Sequence, residues 1–218
     1  MTVFIMVRHG ESTGNVKRIL SDDKDRFPLT KKGRNQASIV AQELREINIK
    51  KIYSSPILRT KQTAQIIADH LDCTIEEDER LRERHFGEFN NKKVSAIDWK
   101  TLLIKGEYKN IESWEEMYKR VVDFVKDRNE EYVIMVTHYD PIRVIVTREF
   151  GLENELSSYG IVIPNASISI VEINGNAYRK VIAVGVPPER GILKKVLKVP
   201  ESQKNVNLTN FNPYNTEL

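Results

Sequence analysis

The stretch TVFIMVRHGES, residues 2–12, decides the fold of this chain. Its apolar run from Val3 to Val7 ends abruptly at Arg8, His9 and Gly10. A short, uninterrupted apolar run of this kind is typical of a strand that is buried on both faces of a sheet. Open α/β sheets hold their ligands at the carboxyl ends of their strands. The stretch therefore predicts a buried strand with Arg8 and His9 at the edge where a ligand would bind.

The rest of the chain alternates short strands with amphipathic helices. Strands are predicted where a short apolar run recurs, at KIYS (51–54), YVIMVT (132–137), and SISIVEI and YRKVIAV on either side of the hairpin signal Asn174-Gly175. Helices are predicted where a capping residue precedes apolar residues at helical spacing, at Thr30, Ser55-Pro56, Ser113 and Asp140-Pro141. This alternation predicts an α/β fold in three layers (α/β/α), with a mostly parallel sheet flanked by helices.

Two segments depart from the alternation. Residues 84–112 show weak periodicity, and we expect them to form a lid-like insert within a single domain that spans residues 1–186. The tail, 187–218, contains four of the eight prolines, and we expect it to wrap the surface or a partner. The insert contains four side chains that could line or support a pocket: His85, Phe86, Trp99 and Tyr108.

The composition excludes several classes of protein. Of the 218 residues, 40% are hydrophobic, yet the longest apolar runs fall far short of the roughly 18 residues that span a bilayer. The net charge of +3 comes without a dense basic patch, so no nucleic-acid partner is expected. Cys73 is the single cysteine, which excludes an internal disulfide and fits a reducing compartment. We therefore expect a cytoplasmic protein with no membrane or nucleic-acid partner.

Cationic side chains recur where predicted strands end and helices begin. SSPILRTKQTA (54–64) places Arg59 in the first turn of a helix, and His138 directly follows a later strand. Backbone N–H groups and the helix dipole already favour an anion at such positions. Together with Arg8 and His9, these residues predict a phosphate site at one edge of the sheet.

Five motifs resemble those of the histidine phosphatase superfamily, of which cofactor-dependent phosphoglycerate mutase is the best-known member. RHGES together with the pattern SSPxxRxxQTA is highly specific for this family. The resemblance covers about residues 2–150 and implies an α/β sheet between helices, with no metal and no organic cofactor. The shared motifs are RHGES followed by Asn15, FPLTKKGRNQA (27–37), SSPILRTKQTA, LRERHFGEF (81–89) and VTH (136–138).

The resemblance also implies a role for each matching residue. His9 matches the nucleophile, which is transiently phosphorylated, and Glu83 matches the proton donor. The residues that match contacts of the transferred phosphoryl group are Arg8, Arg59, His138 and Asn15. The implied ligand is a small phosphorylated metabolite, and the habit of the family suggests a homodimer.

Elementary chemistry agrees with these roles. Two arginines can bind the equatorial oxygens of a phosphoryl group in bidentate fashion and cannot lose their charge. Arg8 and Arg59 disfavour a further positive charge, so we expect them to lower the pKa of His9 and keep it neutral. Its second ring nitrogen needs a fixed acceptor, for which a backbone carbonyl is suited.

Several assignments stay open at the level of sequence. Glu88 rivals Glu83 as the proton donor, and His85 can serve either the pocket or the lid. Trp114 lies at helical spacing and is expected in the core. Metal hydrolysis by His9, Glu83 and His138 is disfavoured, because the arginines would repel a cation.

Tyr139-Asp140 stands where the family usually has small residues. A bulky Tyr139 could hinder the approach of a phosphate, and Asp140 would repel it unless its carboxylate caps the helix. We still expect a phosphomonoesterase that acts on small-molecule phosphate esters through phospho-His9. The mutases have a longer segment than the one between Glu83 and His138, which favours hydrolysis. The alternatives are phosphoglycerate mutase-type transfer, a phosphoprotein phosphatase and a non-catalytic phospho-ligand-binding protein.

Overall fold

The computed structural model describes residues 1–45, 47–99, 110–174, 178–188 and 193. The strands within these ranges are β1 (Thr2–Arg8), β2 (Lys51–Ser54), β3 (Thr74–Glu77), β4 (Tyr132–Thr137), β5 (Ile168–Asn174) and β6 (Tyr178–Val186). The α-helices are α1 (Thr13–Lys17), α2 (Lys31–Leu44), α3 (Leu58–Leu71), α4 (Trp114–Lys126) and α5 (Tyr139–Glu149). Short 3₁₀ turns lie at Glu79–Leu81, Gly87–Phe89, Val94–Ala96 and Glu155–Ser158.

The six strands form one sheet in the order β3-β2-β4-β1-β5-β6. β1, β4, β2 and β3 run parallel, whereas β5 and β6 are antiparallel to their neighbours. In the central pair, Arg8 at the end of β1 lies opposite Thr137 at the end of β4. The next residues, His9 and His138, therefore meet at the carboxyl edge of the sheet. The predicted strand segments are confirmed, as is the mostly parallel sheet.

Alternate residues of β1 contribute to two apolar cores on opposite faces of the sheet. Val3, Ile5 and Val7 pack with residues of α2 and α3, while Phe4 and Met6 pack with residues of α4 and α5. Burying each such side chain stabilises the fold by about 1.5–3 kcal/mol. The predicted three-layer α/β/α architecture is confirmed, with helices covering both faces of the sheet.

Two glycines bring the loop after β1 against the start of α2. A Cβ atom on Gly10 would lie 2.3 Å from the carbonyl oxygen of Gly33, and one on Gly33 would lie 2.0 Å from that of Glu11. Either would clash with backbone atoms. The N–H of Thr30 also donates to the carbonyl of Glu11 at 2.9 Å. The loop that contains His9 is thus packed backbone to backbone on a helix, which restricts its movement.

Two of the predicted helix starts are confirmed. Thr30 caps α2, where its side chain accepts the N–H of Gly33. Ser113 caps α4 and forms a capping box with Glu116, since each side chain accepts the other residue's backbone N–H. Both caps satisfy backbone donors that a helix N-terminus leaves unpaired.

The predicted start of α3 is wrong by two residues. The helix begins at Leu58 rather than Pro56, and its N-cap residue, Ile57, makes no side-chain hydrogen bond. Ser55 lies before the N-cap residue; its hydroxyl accepts the N–H of Ile57 at 3.3 Å and also lies 2.8 Å from Nε2 of His138. A side chain that sequence patterns assign to a helix cap therefore belongs to the site.

The predicted start of α5 is also wrong by two residues. The helix begins at Tyr139 rather than Pro141, so Asp140 lies inside the first turn and is not the cap. Its carboxylate instead pairs with Arg143 one turn later, at 2.9 Å. The positive charge of Arg143 thus compensates the negative charge of Asp140, which at a cap position would have interacted with backbone N–H groups.

The described part of the insert 84–112 is bound to the loop that follows α1. The N–H of Leu20 donates to the carbonyl of Lys92, and the N–H of Val94 donates to that of Arg18, both at 2.9 Å. Antiparallel backbone contacts of this kind hold two loops together without a common strand. The described part of the insert and the loop after α1 therefore form adjoining parts of one wall of the site.

Some predicted features lie outside the described residues. These are Tyr108, the turn at Gly175 and most of the tail 187–218. Leu193 of the tail is described, and it is buried in the core on the face of α2 and α3. None of the helices in the described ranges is both long and apolar enough to cross a bilayer.

Candidate active site

His9 follows β1, with its imidazole buried and its tautomer fixed. Nδ1 lies 2.7 Å from the carbonyl oxygen of Gly10, so Nδ1 holds the proton and donates it. Nε2 then has a lone pair, to which Nε–H of Arg59 donates at 3.1 Å. Gly10 is itself held, because its N–H donates to Oγ1 of Thr63 at 3.1 Å. The expected carbonyl acceptor for the second ring nitrogen is confirmed.

The surroundings of His9 keep the imidazole neutral. Burial lowers the pKa of His9 well below its ordinary value, and the charges of Arg59 and Arg8 lower it further. The hydrogen bond to Gly10 raises the pKa, but by less than these effects lower it. A neutral imidazole with a lone pair on Nε2 is the state that a nucleophilic histidine needs.

Arg8 and Arg59 line the same cavity as His9. Arg59 lies in the first turn of α3, as predicted, and its NH2 group donates to the carbonyl of Ser21 at 2.9 Å. Arg8 donates from NH1 to the carbonyl of Ile163 at 2.5 Å, and its Nε is buried with no hydrogen-bond partner in the described residues. Burial lowers the pKa of Arg59 to about 10, which leaves it charged at neutral pH. The donors that the protein does not use are available to an oxyanion.

His138 is fully buried beside His9, and the centroids of the two rings are 5.2 Å apart. Its Nε2 contacts the hydroxyl of Ser55 at 2.8 Å. Its Nδ1 lies 3.9 Å from Oε2 of Glu83 and makes no hydrogen bond within the described part of the chain. Burial lowers the pKa of His138 well below its ordinary value, and Arg59 adds to the effect. Since buried polar atoms are nearly always paired, this Nδ1 indicates a place for a ligand.

Glu83 extends its carboxyl group into the cavity. Its Oε1 accepts the backbone N–H of Arg84 at 3.0 Å. Burial raises the pKa of Glu83 to about 7, and the charge of Asp140 contributes to this, whereas the charge of Arg59 opposes it. A carboxyl group that keeps its proton near neutral pH can act as a general acid. Glu88, the rival donor, is exposed and does not line the cavity, so the geometry favours Glu83.

Asn15 lies in α1 and lines the same cavity. Its Oδ1 accepts the backbone N–H of Ser12 at 2.9 Å and Nδ2–H of Asn165 at 3.2 Å. With Oδ1 engaged in this way, the amide Nδ2 is the group that can donate to a ligand. The placement is compatible with the predicted phosphate contact.

The aromatic and histidine candidates divide between cavity, surface and core. Phe86 and Trp99 of the insert line the cavity. His85 is exposed, and its Nδ1 lies 2.7 Å from a carboxylate oxygen of Asp22. Trp114 is buried in the core formed by α4 and α5, as predicted. The insert therefore contributes apolar walls rather than a third histidine.

Tyr139 and Asp140 both line the cavity, and Asp140 is not the helix cap that the sequence suggested. The hydroxyl of Tyr139 donates to the carbonyl of Ile161 at 2.9 Å, and the guanidinium carbon of Arg8 lies 5.0 Å from the centroid of its ring. Asp140 is buried and pairs with Arg143. Tyr139 therefore contacts Arg8, one of the residues predicted to bind the phosphate, and does more than occupy space near it.

A buried ion-pair cluster beside the cavity was not predicted from the sequence. Arg84 has no exposed side-chain surface, and its two terminal nitrogens donate to the two carboxylate oxygens of Glu155 at 2.6 and 3.1 Å. Arg143 lies 3.6 Å from the same carboxylate and, like Glu155, lines the cavity. Arg143 could have been found from its spacing of three residues after Asp140. Glu155 has no local signal, because its partner is far away in the chain.

Arg8, His9, Asn15, Arg59 and Glu83 line one cavity of about 480 Å³, and His138 lies behind it against His9. The size of the cavity suits a phosphoryl group with a small organic substituent. Across the described ranges, no three His, Cys, Asp or Glu side chains come together in a way that could hold a metal ion. Apolar lining residues come from the α1 loop, the insert and the segment after Glu155–Ser158: Ile19, Leu20, Phe86, Val94, Trp99, Ile161 and Val162.

A buried, neutral histidine beside two arginines and a carboxyl group of raised pKa, at the edge of an α/β sheet, is typical of proteins that handle phosphoryl groups. Comparison with protein families gives the same result. The family model described as histidine phosphatase superfamily (branch 1) matches residues 4–183. The chain belongs to this superfamily.

Its relatives include a mutase and a phosphatase candidate. The 2,3-bisphosphoglycerate-dependent phosphoglycerate mutase of Thermoplasma acidophilum is 40% identical over 180 residues, covering 79% of this chain and 88% of that protein. A candidate phosphoserine phosphatase of Hydrogenobacter thermophilus is 34% identical over 186 residues, covering 78% and 89%. Among solved structures, YhfR of Bacillus stearothermophilus superposes with a TM-score of 0.76 at 25% identity, covering 85% and 98%. Phosphoryl transfer or hydrolysis is consistent with these relatives.

Proposed function

We propose that this protein is a phosphomonoesterase that hydrolyses small phosphate esters through a phosphohistidine at His9. The observation that carries the proposal is the state of this imidazole. Nδ1–H is bound to the carbonyl of Gly10, and the Nε2 lone pair faces Arg59 in a cavity rich in arginine. Such a nitrogen can attack phosphorus without first losing a proton.

The reaction consists of two displacements. In the first, Nε2 of His9 bonds to phosphorus while the ester P–O bond breaks, and protonated Glu83 gives its proton to the leaving alkoxide. In the second, a water molecule attacks phosphorus, the P–N bond breaks, and the Glu83 carboxylate takes the proton of that water. The products are the alcohol and inorganic phosphate, and both protein groups return to their starting states.

The remaining cationic and polar groups stabilise the charge of the phosphoryl oxygens. Arg8 and Arg59 supply guanidinium donors that remain charged throughout. His138 is neutral, and the hydroxyl of Ser55 can donate to its Nε2. The proton of His138 then lies on Nδ1, where it can donate to a phosphoryl oxygen.

Mutase-type transfer is the second candidate, and the 40% identity to the Thermoplasma acidophilum mutase favours it. It would pass the phosphoryl group from His9 to a second hydroxyl instead of to water. Hydrolysis is supported by the 34% identity to the candidate phosphoserine phosphatase of Hydrogenobacter thermophilus. Both candidates share the first displacement, so only the acceptor distinguishes them.

A screen of phosphorylated metabolites tests the proposal. Wild type and His9→Ala are incubated with a chelator and with each metabolite, including 3-phosphoglycerate and phosphoserine, and products are followed by phosphorus NMR. We expect wild type to release inorganic phosphate and His9→Ala to release none. The alanine variant removes the nucleophile and leaves both arginines in place.

Other outcomes would replace the proposal. Interconversion of 2- and 3-phosphoglycerate faster than phosphate release would assign a mutase. Calorimetric binding of phosphate esters without turnover would assign a phospho-ligand-binding protein. Loss of activity on chelation would assign a metal-dependent hydrolase, and phosphate release only from phosphorylated proteins would assign a phosphoprotein phosphatase.

A further inference from the structure

Tyr139, the residue after the second histidine, contacts the guanidinium groups of Arg8 and Arg143, and the carbon of the latter lies 5.1 Å from the centroid of its ring. The Arg8 guanidinium carbon lies 5.0 Å from the centroid of the Tyr139 ring. The hydroxyl of Tyr139 donates to the carbonyl of Ile161 at 2.9 Å, and Arg8 donates to the carbonyl of Ile163 at 2.5 Å. The hydroxyl of Tyr139 and the guanidinium of Arg8 thus donate to two carbonyls of the same short segment, and these carbonyls are two residues apart.

Besides the charges of Glu83 and Asp140, one hydrogen bond fixes the orientation of Arg8. Its NH1 group has the bond to Ile163, while its Nε is buried without a hydrogen-bond partner in the described residues. Burial also lowers the pKa of Arg8, which reflects the loss of the water that would otherwise solvate it. One hydrogen bond leaves a guanidinium free to tilt about that contact. A ring at this distance restricts the tilt, because guanidinium groups bind favourably to aromatic rings.

We propose that Tyr139 is a positioning residue that holds the Arg8 guanidinium in the orientation in which its unpaired Nε meets a phosphoryl oxygen. The proposal rests on the proposed function only in taking a phosphoryl group as the ligand of Arg8. Binding of inorganic phosphate tests it without any turnover. A side chain at a position where related sequences usually have a small residue then belongs to the phosphate site.

A purely structural role for Tyr139 predicts different behaviour. In that case the ring would only fill space, and the hydroxyl bond to Ile161 would only hold the segment. Tyr139→Phe removes this hydroxyl bond and keeps the ring, whereas Tyr139→Leu removes both. The comparison of the two variants separates the ring from the hydroxyl.

A matched control exists elsewhere in the fold. The guanidinium carbon of Arg148 lies 4.8 Å from the ring centroid of Tyr118, and neither residue lines the cavity. Tyr118→Leu therefore removes a stack of similar geometry that has no contact with the site. Its thermal unfolding measures what such a loss does to stability alone.

Titration calorimetry with inorganic phosphate is the test. We expect Tyr139→Phe to bind phosphate within about twofold of wild type, and Tyr139→Leu to bind it about tenfold more weakly, the size of a partly desolvated cation–π contact. Tyr118→Leu binds phosphate as wild type does. In the background of Arg8→Lys, adding Tyr139→Leu weakens binding by less than about twofold, because coupled residues are not additive.

Wild-type affinity in Tyr139→Leu, equal losses in the leucine and phenylalanine variants, or full additivity with Arg8→Lys would each overturn the proposal. If the leucine variant does not fold, Tyr139→Met takes its place, and failure of both to fold would assign Tyr139 to stability instead. Absence of turnover on every ester would overturn the proposed function but would leave this test intact.

Discussion

The two ends of the cavity differ in how their side chains are held. At the phosphate end, His9 and Arg59 are hydrogen-bonded to backbone carbonyls, and His138 contacts a serine hydroxyl. At the leaving-group end, the side chains come from loops and offer mostly apolar surface. We name the phosphate end after its proposed role; it comprises Arg8, His9, Arg59 and Glu83 of the cavity and the adjoining His138. We name the leaving-group end likewise; it comprises Ile19, Leu20, Phe86, Val94, Trp99, Ile161 and Val162.

This difference indicates a division of labour. Groups that stabilise charge must be fixed before the reaction, and the ends of parallel strands provide fixed positions. Groups that contact the variable part of a substrate are better placed on loops, because loops tolerate sequence changes without disturbing the core. Changes at the phosphate end are therefore expected to affect all esters, and changes at the leaving-group end only some.

Among changes that keep His9, the largest expected effect separates Glu83 from its rival, Glu88. Glu83→Gln cannot transfer a proton, so kcat/KM for an alkyl phosphate is expected to fall by about 10²–10⁴-fold. For p-nitrophenyl phosphate the loss is much smaller, because its leaving group needs no proton. Glu88→Gln, an exposed neighbour in the same motif, serves as the control and is expected to retain activity on both esters. Equal losses on the two esters would remove Glu83 from the donor role.

The pH dependence of activity follows from the same carboxyl group. The pKa of Glu83 is raised to about 7, so its proton is present below pH 7 and is lost as the pH rises through that value. We expect kcat/KM for an alkyl phosphate to fall by about tenfold for each pH unit above this point. The descending limb is expected to disappear in Glu83→Gln measured on the same ester. If the fall in kcat/KM at high pH persists in the variant, the titration of another group causes it.

A smaller effect is expected at Ser55, which orients His138, a residue that we propose contacts the phosphate. Ser55→Ala removes the hydroxyl that contacts Nε2 of His138. The loss of one hydrogen bond to an oriented group corresponds to about tenfold in kcat/KM. The same factor is expected for every ester, since the defect lies at the phosphate end. A loss that varies from ester to ester would break the division between the two ends.

The smallest effect is expected at the leaving-group end. Val94→Ala trims the cavity wall, and an ester that touches one of the lost methyl groups is expected to react up to about fourfold more slowly. Inhibition by inorganic phosphate is expected to stay within about twofold of wild type. Val16→Ala, an exposed valine that does not line the cavity, is the matched control. Weaker phosphate inhibition in Val94→Ala alone would show that the ends are coupled.

Much of the phosphate end was predictable from sequence, for a physical reason. Arg8, His9 and His138 directly follow apolar strands, and Arg59 opens a helix, so local patterns specify where each lies. Parallel pairing then brings strand ends to one edge, whatever their separation in the chain. The carbonyl acceptor for His9 also follows from the demands of a fixed tautomer.

The features that sequence reasoning missed depend on contacts between distant residues. Nothing near Glu155 indicates that it pairs with Arg84, and Ser55 has the local pattern of a helix cap although it contacts His138. The edge strand β3 was also missed, because its sequence TIEE has one strongly apolar residue and mostly exposed side chains. Local patterns are informative only where a local requirement dominates.

The most direct test of the central claim is rapid-quench mass spectrometry during turnover. Wild type and His9→Asn are mixed with a phosphate ester, quenched within the first turnovers under alkaline conditions, and digested. We predict a phosphoryl adduct on the wild-type peptide that contains His9, lost on brief exposure to acid and absent from the variant. No adduct on His9 during steady turnover, together with normal turnover by His9→Asn, would contradict the account.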